Sequence, residues 1–276
     1  MFTLYPNGAQ FRNENAEILR NYPLETIFFA GNAARMDDRV DGFVVKVSEG
    51  DDFLLCMRYM DFPMSIWGCE RLCGELAEGL LRNGLTFGRV LTSRPVADSF
   101  FASYERVVGG SHTDNREMLL MQCREPAGGG DVEDVKEATL ADAEELAALY
   151  AARFAAEGRD GSQEARAYLQ TLNDEIGNFA IARIDGRIAS IARRARETEY
   201  LCSVTGVYTV EEFRGRGLAR RVTGYLTDGI LAQGKVPYLF VETDNATARN
   251  LYLSLGYEVV AQQVEIAYHG VADRGI

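Results

Sequence analysis

The chain has 276 residues, enough for two domains of ordinary size, and 47% hydrophobic with 25% charged residues places it among globular rather than disordered or fibrous proteins. A net charge of −12, from 29 basic and 41 acidic residues, speaks against a nucleic-acid partner, which needs a basic face, and leans mildly toward a cationic substrate. No apolar run nears the roughly 18 residues of a membrane span, and MFTLYPNGAQFRNENAE lacks the basic start and apolar core of a secretory signal, so a cytoplasmic protein without membrane association is expected.

Along the first half the pattern predicts a helix near 14–21, then strands near 25–30, 42–48 and 52–59. A helix near 68–82, a strand near 87–92, a helix near 95–107 and a strand near 116–124 follow. The aromatic stretch RYMDFPMSIW, 58–67, stays open between pocket lining and core. REPAGGGDVED, 124–134, combines Pro126 with three glycines and reads as a linker. It divides the chain into a domain over 1–125, a linker over 126–131 and a domain over 132–276.

In the second half DVKEAT begins a short strand, and a helix runs through LAALYAARFAA. An amphipathic QEARAYLQTL segment comes next. FAIARIDGRIASIARR forms two strands turning at Asp185-Gly186, a strong hairpin signal. YLCSVTGVYTV is a strand and LARRVTGYLTDGILAQ a helix stopped by Gly234. YLFVET is a buried strand, and NATARNLYLSLG is a helix with Asn245 in capping range and Gly256 at its end. YEVVAQQVEIAYH is expected to close the domain. Alternating strands and helices give an α/β (α+β) class, a mixed central sheet flanked by helices. The helix–strand layout at 98–124 echoes that at 247–269, which suggests an internal repeat.

Cys56, Cys69, Cys73, Cys123 and Cys202 are dispersed, and His112 and His269 stand alone, so buried thiols and no metal site are expected. Arg193, Arg194 and Arg196 read as solvated alternation on an edge strand.

EEFRGRGLARR, 211–221, carries the chemistry. A strand enters the turn and a helix leaves it near Leu218, so unpaired N–H groups of the first helical turn would favour an anion. Gly215 and Gly217 let ligand oxygens approach the main chain. Leu-Ala after Gly217 rules out a Walker A loop, and Arg220 stands where a dinucleotide fingerprint needs its third glycine. What remains is R-x-x-G-x-A over Arg214, Gly217 and Ala219. With VETDNATARNLYLSLGY downstream, carrying Asn245, Ala248, Tyr252, Gly256 and Tyr257, this resembles the two signatures of the GNAT N-acetyltransferase superfamily. The match spans about 132–270. The first half, which lacks R-x-x-G-x-A, resembles a degenerate GNAT-like domain in a tandem arrangement.

The resemblance implies acetyl-CoA as co-substrate, without a metal. Its pyrophosphate would meet the backbone N–H groups of Arg214, Gly215, Arg216, Gly217, Leu218 and Ala219. The strand edge at Val207, Tyr208 and Thr209 would pair with the pantetheine arm, and Asn245 would meet that arm from the other side. A neutral primary amine of a small molecule or peptide would attack directly in a ternary complex. An N–H near Val207 or Tyr208 would receive the oxyanion, and Tyr252 would act as the acid. The family's strand glutamate falls at about Ser203, which is no base unaided; Glu197 and Glu199 are alternatives. A silent acyl-CoA-binding sensor is the second functional class, and homo-oligomerisation is left open.

Overall fold

The structure, a computed structural model, describes residues 1–37, 39–126, 134–156 and 175–270. It contains two compact units. The first comprises Met1–Leu120 with Val241–Asp244 and Val259–Ile276; the second comprises Met121–Phe240 with Asn245–Glu258.

In the first unit, β1 (Phe2–Tyr5), β2 (Gly42–Glu49), β3 (Asp52–Tyr59), β4 (Met64–Gly68) and β5 (Arg89–Thr92) lie in sequential order. All neighbours are antiparallel except β4 and β5, which run parallel through the crossover helix α4 (Cys73–Arg82). Helices α1 (Gly8–Glu14), α2 (Ala16–Asn21), α3 (Ile27–Ala33) and α5 (Arg94–Val108), with the long strand β6 (Ser111–Gln122), complete the first 122 residues. Alternation along the strands fills two cores. Val45, Val47, Leu54 and Cys56 pack with Leu76, Leu80, Phe100 and Phe101 of α4 and α5. Val44, Leu55 and Met57 pack with Phe11 and Phe29 of α1 and α3 on the other face.

Three expectations change here. Residues 25–30, read as a strand, form a turn at Glu25 and Thr26 and the start of α3 from Ile27, because ETIFFA is a short apolar run whose periodicity does not separate strand from buried helix. The helix expected from 68 starts at Cys73, and the aromatic stretch before it contains β4, whose Met64 and Ile66 are core. The strand β12 (Glu258–His269), expected to close the second domain, instead pairs antiparallel with β5, Glu265 facing Leu91 and Ile266 facing Val90. The first unit is therefore completed by the end of the chain, and the division at 126–131 does not separate two self-contained halves; most of that linker, 127–131, lies outside the described residues.

The incoming strand is locked by a buried carboxylate. Glu265 is 1% exposed and accepts hydrogen bonds from Arg89 at 2.8 Å, Asn115 at 2.8 Å and Arg116 at 2.6 and 2.8 Å. Burial alone would raise its pKa, but the bonds from Arg116, then Asn115, with the arginine charges, hold it below the ordinary glutamate value. A depressed carboxylate pKa contributes stability that is present above the unfolded value and is lost as pH falls through the folded one. Glu265→Gln should lower unfolding stability by about 1–3 kcal/mol, since the arginines keep contact with water. Denaturant melts at pH 7 and pH 3 should show the gap between wild type and variant closing at the lower pH.

In the second unit the strand order is β11 (Val236–Glu242), β10 (Leu201–Thr209), β9 (Arg187–Ala195), β8 (Phe179–Ile184) and β7 (Val135–Glu137). Only β10 and β11 run parallel, through α7 (Leu218–Ala232). Leu218, Val222, Leu226 and Ile230 recur every four residues and are all buried, packing on Ala180, Ala182, Cys202 and Val204. The opposite face is covered by α6 (Ala143–Ala156) through Leu146, Ala147 and Tyr150. Asp185 and Gly186 take φ of 49° and 80° at the expected hairpin. QEARAYLQTL, 163–172, lies outside the described residues. Among the described residues no helix is long and apolar enough to cross a membrane.

Candidate active site

The parallel ladder of β10 and β11 pairs Leu201, Cys202 and Ser203 with Val236, Pro237 and Tyr238 and then ends. Beyond it β10 continues to Thr209 with its edge toward β11 out of the ladder. A second irregularity falls on the other side. Thr205 faces Arg193 and Tyr208 faces Ile191, so one extra residue is accommodated around Gly206 and Val207. Gly206 takes φ +62°, which suits glycine, and the bulge slips the alternation by one. Cys202, Val204 and Val207 pack with the α7 core, whereas Tyr208 packs with the α6 core. The strand predicted to bind an extended arm therefore has one edge beyond the end of the β11 ladder and a bulge on the other.

After β10 the chain makes a tight turn over Glu211–Phe213, and the Arg214 N–H bonds the Glu211 carbonyl at 3.1 Å. That N–H, expected to face an anion, is thereby committed. Arg214 also sends its Nε back to the Thr209 carbonyl at 3.2 Å, closing the loop on the strand. Gly215 and Gly217 take φ of 76° and 74°, and Gly217 caps α7 with no side-chain hydrogen bond. The first bond into the helix runs from the Arg221 N–H to the Gly217 carbonyl, and the N–H groups of Gly215 to Ala219 have no partner among the described residues. Nothing lies within 4 Å of where a Cβ would stand at either glycine. Here are the open donors of an uncapped helix start, at the positive end of the dipole.

The arginine side chains brace this loop. Arg216 and Arg187 both lie over the Phe213 ring, at 5.6 and 5.4 Å from its centroid. Arg221 pairs with Asp134 at 2.6 Å, and Arg220 reaches the Ser254 carbonyl at 3.3 Å.

Helix α8 (Ala246–Ser254) is held at both ends. Asn245 Oδ1 accepts from the Ala248 N–H at 3.0 Å, so this oxygen caps the helix and the amide NH2 is the part left to meet a ligand. At the other end Gly256, φ 90°, sends its N–H to the Leu253 carbonyl, and the Tyr257 N–H reaches the Tyr252 carbonyl at 3.1 Å. Tyr257 OH meets Thr227 Oγ1 at 2.9 Å and fastens α8 to α7. Tyr252, 8% exposed, sits 5.9 Å from the Tyr257 ring. Burial pushes its phenol up to about 12, against a smaller downward pull from Arg153.

Sequence reasoning passed over three of these features. Tyr150 OH would lie 2.7 Å from a Cβ at Gly206, and Arg153 Nη1 3.8 Å from it, so α6 delivers a phenol and a guanidinium to the bulge. Thr227 holds Tyr257. Only Gly206 left a signal, an isolated glycine inside a strand pattern. Other expectations are corrected. Glu197 is paired with Lys235 and Glu199 is exposed, both ahead of β10. At about 3.3 Å per residue the six strand steps from Leu201 to Val207 alone span roughly 20 Å, too far for a base that precedes the strand. Arg193 and Arg194 lie on an interior strand, not an edge, and pair with Glu175 and Glu137.

A strand pair that parts, a bulge opposite the gap and an uncapped crossover helix together define the acyl-CoA N-acyltransferase type of fold. Residues 187–266 match the family model described as FR47-like protein. Over 125 residues, 44% of this chain and 76% of the relative, the sequence is 33% identical to the N-alpha-acetyltransferase RimI of Mycobacterium tuberculosis. A GNAT-family acetyltransferase of Colwellia psychrerythraea superposes with a TM-score of 0.62 at 13% identity, over 98% of this chain and 99% of that one. A tandem GNAT protein from the clavulanic acid biosynthesis pathway gives 0.58 at 12% identity, over 99% of both chains. The chain belongs to the GNAT superfamily.

The tandem character has a structural counterpart. Each unit contains a parallel strand pair joined by a crossover helix, β4–α4–β5 and β10–α7–β11. In the first unit the turn Glu70–Leu72 runs directly into α4 at Cys73, with no residues corresponding to Arg214–Gly217. Glu70 and Glu75 occupy the first turns there and oppose an anion. The first unit thus carries the crossover without the glycine turn that precedes α7.

Proposed function

We propose that the second unit is an acetyl-CoA-dependent N-acetyltransferase acting on a primary amine of a small molecule or peptide. One observation carries this reading: the β10–β11 ladder stops at Ser203 and Tyr238, and the chain leaving β10 turns at once into the open N–H groups of Gly215 to Ala219. These residues fit an extended amide arm ending in a pyrophosphate. The arm would pair with the β10 edge at Val207, Tyr208 and Thr209, meet the Asn245 amide from the other side, and leave its phosphates on the α7 start. The donor supplies an activated acyl thioester. The chain would orient it, offer backbone N–H at the Val207 bulge where negative charge develops, and hold a proton on Tyr252 for the leaving sulfur.

The absence of a carboxylate at position 203 favours a second reading, an acyl-CoA sensor without turnover. Release of free CoA thiol from acetyl-CoA, followed against a panel of primary amines, separates the two. Amine-dependent release supports transfer; tight binding of acetyl-CoA with no release for any amine supports sensing.

A further inference from the structure

The vacant side-chain position of Gly206 faces α6. A Cβ built there would lie 2.7 Å from Tyr150 OH and 3.8 Å from Arg153 Nη1. Tyr150 is buried in the α6 core with Phe179, whereas Arg153, three residues on along the same helix face, is half-buried with its guanidinium 6.0 Å from the Phe154 ring centroid. Arg153 reaches a second feature of the site as well: its charge pulls the buried Tyr252 phenol against the rise that burial imposes. One guanidinium therefore acts both on the bulge of β10 and on the tyrosine of α8. The other face of β10 is closed, because Cys202, Val204 and Val207 pack there with the α7 core. An acceptor that meets an arm laid along the β10 edge must come from the α6 face, past Tyr150 and Arg153. Arg193 on the neighbouring strand lies over the Phe179 ring on this face, but Glu175 is paired with it and the two cancel.

We propose that Arg153, with Tyr150 OH beside it, receives a carboxylate of the acceptor, so that the substrate class is a primary amine carrying an acid group a few bonds from its nitrogen. The proposal rests on the acetyltransferase reading and names its acceptor. A guanidinium is charged at every working pH and its fork of N–H donors matches the two oxygens of a carboxylate, while a phenol can donate alongside. Held there, the acid group would place its amine against the β10 edge near Val207. A diamine brings a second cation to the same point and is repelled by Arg153. The charge of the whole chain misleads here: −12 overall leans toward a cationic substrate, and the guanidinium at the bulge selects for an anionic group.

The test uses the full-length chain with acetyl-CoA and reads free CoA thiol. L-amino acids are compared with their amides, and β-alanine and γ-aminobutyrate with propylamine and butylamine. In the series used best, the acid should exceed its neutral partner in kcat/KM by about 10- to 100-fold, the range of one hydrogen bond to a charged group. Arg153→Met should erase that preference through the acceptor KM, with the KM for acetyl-CoA unchanged. Arg153→Lys, which keeps the charge and loses the fork, should restore part of it. Equal use of acids and neutral amines by the wild type, or a preference that survives Arg153→Met, overturns the proposal. If no amine releases thiol, the acetyltransferase reading fails by itself, and calorimetric titration of the same acids and amides into the CoA-loaded protein decides the carboxylate site. Binding confined to acids and lost in Arg153→Met keeps it; equal binding or none removes it.

Discussion

Gly217→Val is expected to weaken acetyl-CoA binding by more than about 100-fold, as calorimetric titration would show. Loss of two charge-assisted hydrogen bonds at about 1.5 kcal/mol each accounts for that factor. The reason is conformational before it is steric. Gly217 holds φ +74°, and no atom lies within 4 Å of an added Cβ, so the side chain meets no protein atom. A β-branched residue leaves the left-handed region and swings the N–H groups of Leu218 and Ala219 out of convergence. The cost to the fold should stay near 1–2 kcal/mol, the usual penalty for one left-handed residue with a side chain. Gly229→Ala is the matched control. Gly229 is exposed within α7 with open space around it, and alanine there should stabilise by up to about 1 kcal/mol without touching affinity. Unchanged binding in Gly217→Val would remove the loop from the phosphate site.

Much of this site was legible because its parts are local. Leu218, Val222, Leu226 and Ile230 spell one helical face, Asn245 and Gly256 are caps whose hydrogen bonds close within a few residues, and Asp185-Gly186 is a turn read from two letters. What escaped depends on partners far away in sequence. That β12 belongs beside β5 follows from Glu265 meeting Arg89, more than 150 residues earlier, and no periodicity in YEVVAQQVEIAYH reports it. The Tyr150 and Arg153 approach to Gly206 is likewise tertiary. ETIFFA failed for a different reason: a short apolar run is compatible with either element until its neighbours decide.

Glu197 and Glu199 show the limit of proximity along the chain. Lying a few residues before the right strand suggested them, and the extended geometry of a strand disqualifies them. Arg214, Arg216, Arg220 and Arg221 mislead in the opposite sense. Four cations around a helix start invite a phosphate-binding role, yet each is engaged with Thr209, Phe213, Ser254 or Asp134. The backbone amides, invisible in any composition count, are the donors that stay open.

Tyr252→Phe should lower kcat by about 10²–10⁴-fold, the usual contribution of a positioned general acid, with the acetyl-CoA dissociation constant unchanged. The variant keeps the ring that packs near Tyr257 and loses only the hydroxyl, so its melting curve should nearly overlay that of the wild type. The pH dependence separates this tyrosine from an ordinary one. A phenol acts as an acid only while neutral, hence below its pKa, and burial has moved that value up to about 12. Wild-type kcat should therefore show no alkaline fall from this group up to about pH 10, where an unperturbed tyrosine would already be half ionised. Arg153→Met removes the one charge that pulls the phenol downward, so any alkaline limb should move still higher, never lower. A wild-type limb centred near pH 10, or full kcat in the phenylalanine variant, would assign the proton to another group.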